Sequence, residues 1–130
     1  MSQRPIARTV TLATAAAFAS LALSGCVPNT GADAGATTVD VRSSATECIV
    51  STASAPSGSV VFTVTNTGDE ETEFYLLGED GKRVVGEVEH IGPGTSRDLA
   101  VTVSAGQYFT VCKPGMSGDG VGRAAFTVTK

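Results

Sequence analysis

The chain has 130 residues, enough for one domain and its targeting segment. Nine basic residues face thirteen acidic ones, there is no Trp, and 17% of residues are charged. Few and scattered cations exclude a nucleic-acid surface, and the acidic balance suits a soluble surface or a cation ligand better than an anionic partner.

Arg4 and Arg8 form a positive start, and Val10 to Leu23 is an apolar run too short to span a bilayer. It ends in Leu23-Ser24-Gly25-Cys26, which reads as a lipoprotein cleavage box. Residues 1–25 are then an export signal, and Cys26 accepts the lipid that holds the chain at the extracytoplasmic face of the cell membrane. Loss of Arg4 and Arg8 takes the formal net charge from −4 to −6. Residues 26–37, rich in Gly, Ala, Thr and Asn, read as a flexible tether. Residues 38–130 form the domain.

Within 38–130 the periodicity is two. Val60, Phe62 and Val64 alternate with Val61, Thr63 and Thr65; Leu99, Val101 and Val103 alternate with Asp98, Ala100 and Thr102; Ala124, Phe126 and Val128 alternate with Arg123, Ala125 and Thr127. Turn signals recur at Pro56-Ser57-Gly58, Asn66-Thr67-Gly68-Asp69, Glu79-Asp80-Gly81-Lys82, Gly92-Pro93-Gly94 and Ala105-Gly106. The pattern predicts strands near 38–43, 47–53, 59–66, 73–78, 83–89, 96–103, 107–112 and 122–129. No amphipathic helix is present. Seven or eight short strands with turns at this spacing predict an all-β, Greek-key β-sandwich.

Two cysteines remain after Cys26: Cys48 and Cys112. In an exported domain a thiol pair forms a disulfide or binds a metal, and both readings require the two side chains to be adjacent. No Ser/His/Asp arrangement exists, because His90 is the one histidine, and no phosphate-binding Gly loop opens a helix. The chain does not read as an enzyme.

The order of landmarks resembles a cupredoxin: a strand ending in Val64-Thr65-Asn66, an acidic loop, Glu73-Phe74-Tyr75, Ile91-Gly92-Pro93-Gly94, Gly106-Gln107-Tyr108, then Cys112-Lys113-Pro114-Gly115 and a last strand. In that family the cysteine after such a Tyr-x-x-x-Cys strand is a copper ligand, followed by His and often Met. Here Gly115 stands at the His position, Gly120 near the Met position and Glu73 in the region of the first His. A blue-copper centre needs two imidazoles and a thiolate, so plastocyanin-like electron transfer is excluded.

Among cupredoxins the chain is similar to the N-terminal domain of EfeO, the extracytoplasmic lipoprotein of the EfeUOB iron-uptake system. Glu47-Cys48, Glu73-Phe74-Tyr75, Glu87-Val88-Glu89-His90-Ile91-Gly92-Pro93-Gly94 and Gly106-Gln107-Tyr108 through Cys112 carry the likeness. Members usually continue into a helical imelysin-type domain of the M75 group; this chain runs to Lys130 after its last strand. The resemblance therefore implies a stand-alone cupredoxin protein or a fragment, and the ferric-iron role of the helical domain does not carry over. It implies an iron or copper ion as cofactor, held by Cys48, Glu73, Glu89 and Cys112 with Glu87 as an addition. It implies an iron permease and a haem peroxidase as partners. Glu87 and Glu89, two apart on a strand, share a face. The plainer alternative is a non-metal interaction module with a structural Cys48–Cys112 disulfide and a solvated acidic face. Asp69-Glu70-Glu71 reads as an acidic hairpin tip, His90 as an edge residue, and Met116 as a loop residue able to offer a thioether.

Overall fold

The computed structural model describes residues 35–130; the cleavage box and Cys26 lie outside them. Nine strands follow in order: β1 Thr37–Ser43, β2 Cys48–Val50, β3 Ser54–Pro56, β4 Gly58–Asn66, β5 Thr72–Leu77, β6 Val84–Ile91, β7 Ser96–Val103, β8 Gly106–Pro114 and β9 Val121–Thr129. They form two sheets, one ordered β2-β1-β4-β7 and the other β3-β9-β8-β5-β6. Most pairs are antiparallel, but β1 runs parallel to β4 and β3 runs parallel to β9.

The alternating residues explain the packing. Val39 and Val41 on β1 and Val60, Phe62 and Val64 on β4 are fully buried against Phe74 and Leu76 on β5 and Phe126 and Val128 on β9. Phe62 is the centre of this core, with ring centroids 5.2 Å from Phe74 and 5.3 Å from Phe126. Tilted and edge-on aromatic pairs of this kind are favourable beyond the area they bury. The buried Ser43 and Thr72 hydroxyls meet at 2.7 Å and join the two sheets through one polar contact. Among the described residues every buried side-chain polar atom has a partner.

The main departure from the predicted strands lies at 47–53. The single strand expected over 47–53 is two short strands in different sheets. Between them Ser51 N donates to Asp40 O, and the Thr52 hydroxyl both donates to Ser54 O and accepts from Ser54 N. Side-chain bonds of this type replace ladder bonds, so the chain leaves one sheet and enters the other. The first strand also begins at Thr37, inside the segment read as tether.

Candidate functional site

Cys48 and Cys112 are bonded to each other, with an S–S distance of 2.03 Å and Cα atoms 5.5 Å apart. The predicted adjacency of the two cysteines is therefore present, in its disulfide form. Cys112 has no exposed surface and points inward from β8, level with Phe74 across the β5–β8 ladder. Cys48 starts β2, which belongs to the other sheet. The bond thus staples the two sheets together, and neither sulfur is available as a thiolate ligand while it is intact.

The chain around this bond is shaped for it. Gly122 lies directly on Cys48: a Cβ there would fall 2.6 Å from Cys48 Cβ and 2.6 Å from its backbone nitrogen. Gly120, at φ 85°, would carry its Cβ 2.6 Å from Cys112 O. Only glycine meets both the left-handed backbone and the close approach.

Asn66, at the end of β4, organises the neighbouring loop. Its amide nitrogen donates to Glu70 O at 2.7 Å and Ile91 O at 2.8 Å, and its carbonyl oxygen accepts from Gly68 N at 2.9 Å. Gly115 N donates to Glu71 O at 2.7 Å, which ties the loop after β8 to the loop after β4. Met116, half-buried with φ 52°, donates its N–H to Lys113 O and completes a turn there.

Glu73 and Tyr75 face the other way. They precede and follow inward-facing Phe74, so they stand on the outer face of the five-stranded sheet. Glu73 is 8% exposed, and its Oε2 accepts a 2.6 Å bond from the Tyr75 hydroxyl. Burial first, then that bond and the charges of Glu73, Glu87 and Glu89, push the Tyr75 phenol well above its ordinary range. Glu87 is opposite Tyr75 in register, and Glu89 stands at a bulge between the Phe74–Val88 and Thr72–Ile91 pairs. Both are exposed. His90 occupies the same bulge at φ 54°, exposed, with its Nδ1 3.3 Å from Glu71 Oε2.

The expected ligand set is therefore split by the sheet. Cys112 lies in the core with half-buried Cys48 packed against it, and Glu73, Glu87 and Glu89 lie on the outside. Among the described residues no three His, Cys, Asp or Glu side chains come together to hold a metal ion.

Three cations missed by the sequence reading do come together. Lys82, Lys113 and Arg123 line a groove on this outer face. They are distant in sequence and look scattered; the β5–β6, β5–β8 and β8–β9 pairings gather them.

No protein-family model and no curated protein matches the sequence. Solved structures do match the fold. Dithionite-reduced auracyanin from Roseiflexus castenholzii gives a TM-score of 0.58 at 19% identity, over 74% of this chain and 100% of that one. An azurin from Methylomonas sp. strain J gives 0.54 at 13% identity, over 72% and 98%. Auracyanin A from Chloroflexus aurantiacus, described as a "blue" copper protein, gives 0.52 at 13% identity, over 73% and 100%. The residues here do not fit a blue-copper ion: the one imidazole is on an exposed bulge, and the cysteine of the penultimate strand is in a disulfide. The domain is a cupredoxin-like β-sandwich in which an intersheet disulfide joins Cys48 to Cys112 on the penultimate strand.

Proposed function

We propose that the chain is a lipid-anchored, extracytoplasmic interaction module built on a cupredoxin-like sandwich, with the Cys48–Cys112 bond as a structural staple. The disulfide is the observation that carries this reading. A ligand thiolate must be free, and Cys112 is bonded and buried. Titration of the natively exported protein with a thiol reagent should find no reactive thiol among Cys48 and Cys112. Two titratable thiols would overturn the reading.

A second reading follows from the outer face. Glu73, Glu87 and Glu89 carry hard carboxylate oxygens of the kind that suit iron, which an ion would have to draw together, since among the described residues no three such groups form a site. They support a metal-binding accessory role in an EfeUOB-type iron-uptake system, with the iron permease and haem peroxidase as partners. Calorimetric titration of Fe(II), Fe(III), Cu(II) and Zn(II) separates the two. A Kd tighter than about 1 mM, roughly −4 kcal/mol, that is lost in Glu73→Gln would favour iron uptake. Failure of all four ions to reach that affinity favours the interaction module.

A further inference from the structure

The groove bordered by Lys82, Lys113 and Arg123 has about 210 Å³ of free space. Its apolar lining is Leu77, Val111 and Val84. Leu77 and Val111 are buried, whereas Val84 is 47% exposed, one of two large hydrophobic side chains so exposed among the described residues. The groove thus combines a dry floor with an open apolar shoulder.

Two of its cations are held in place. Lys113 Nζ stands 4.6 Å above the Tyr75 ring, and the Arg123 guanidinium stands 4.8 Å above the Phe109 ring. Arg123 Nη2 also donates to Gly81 O at 2.9 Å. Cation–π contacts fix position without cancelling charge. Glu73 is opposite Lys113 in register, yet its carboxylate accepts from Tyr75, and no ion pair forms between them. Among the described residues none of the three cations has a carboxylate within ion-pair distance. Asp119 is the one acidic residue on the rim. In a chain with a net charge of −4, a groove lined by three cations and one carboxylate, Asp119, is locally more positive than the chain as a whole.

We propose that this groove docks an acidic segment of a partner protein. Its carboxylates meet Lys82, Lys113 and Arg123, and an apolar side chain between them seats on Leu77, Val84 and Val111. Size selects this occupant over a free small molecule. Drug-sized ligands occupy clefts of roughly 300–1,000 Å³, whereas the space here suits one or two side chains of a larger partner. Alternating acidic and apolar residues match a cationic rim around an apolar floor. The inference rests on the interaction-module reading and gives that module a partner chemistry.

The test uses the mature exported protein and a fluorescent ten-residue peptide of alternating Glu and Leu, with a Gln-for-Glu peptide as control. Fluorescence anisotropy at low salt should give a Kd tighter than about 1 mM for the acidic peptide and no saturation for the Gln peptide. Added salt should weaken binding, because exposed charges are screened. Lys82→Glu, at an exposed turn where the fold has little at stake, and Lys113→Gln should each weaken it about threefold to fivefold. Lys130→Glu, away from the groove, should not. The proposal is overturned if the acidic peptide does not bind, if both peptides bind equally, or if Lys82→Glu and Lys113→Gln match wild type. Such a failure with no reactive thiol and no bound metal leaves the module reading intact. A reactive thiol pair removes the module reading whatever the peptide does.

Discussion

The inner and outer faces of the five-stranded sheet are made from the same strands and do opposite work. On β8, Cys112 points inward and is bonded, while its neighbours Val111 and Lys113 point outward into the groove. On β5, Phe74 packs on Phe62, while Glu73 and Tyr75 face out. The inner face is apolar, closed and covalently tied to the other sheet. The outer face carries buried charge, a shifted phenol and cations above aromatic rings. In this fold a single step along a strand separates the part that keeps the sheets together from the part that can recognise something.

That contrast sets what substitutions should do. The largest effect is expected inside. Replacing both Cys48 and Cys112 by Ala opens a loop of 64 residues in sequence separation and should cost roughly 4 kcal/mol in urea unfolding. It should leave peptide affinity at the groove nearly unchanged, and a large loss there would show that the two faces are coupled. Thr72→Val, which leaves the buried Ser43 hydroxyl without its intersheet partner, should cost about 2 kcal/mol by the same measurement.

Outside, the effects should be smaller and local. At Gly81, φ 65°, an added Cβ would fall 1.8 Å from Arg123 Nη2. Gly81→Ala should therefore cost about 1–2 kcal/mol for the left-handed backbone and displace Arg123, weakening the acidic peptide. Tyr75→Phe should be the mildest, about 1 kcal/mol near neutral pH, for loss of the bond to Glu73. Its signature is alkaline. The folded Tyr75 holds its proton above the ordinary value of 10.0, so the unfolded chain ionises first. The stabilisation is complete below pH 10.0 and is lost as pH rises beyond it. Denaturation curves across that range should fall more steeply for wild type than for Tyr75→Phe.

Much of the inner face was legible from the sequence, because burial writes itself as alternation. Val60, Phe62 and Val64 are buried as their period implies. The cysteine pairing was also accessible, since both chemistries open to the pair demanded adjacency. The alternation loses its meaning at Ala124, which shares the phase of Phe126 and Val128 but is exposed, because β3 flanks β9 only at 127–129 and leaves the strand uncovered beside Ala124. The break between β2 and β3 was hidden, since Ser51-Thr52-Ala53 is compatible with a strand and only side-chain bonding to the backbone decides otherwise. The outer face was the least legible. Lys82, Lys113 and Arg123 are neighbours through strand pairing, and register is not written in any one of their local sequences.

The parallel pairing of β3 with β9 has a further consequence, concerning the order of events during folding. Ser54 is paired with Thr127, far along the sequence from it. The β3 edge of the sandwich therefore cannot close until the last strand has emerged. Strands paired over such separations assemble slowly. A chain folding from an extended form would stay pliable along this edge and lock only when β9 is in place to receive β3. Removing the last four residues, 127–130, takes away Thr127, Val128 and Thr129, the partners of all three β3 residues. The truncated product should remain sensitive to protease, while its residues 58–114 still carry every strand of the β4–β7 and β5–β6–β8 pairings.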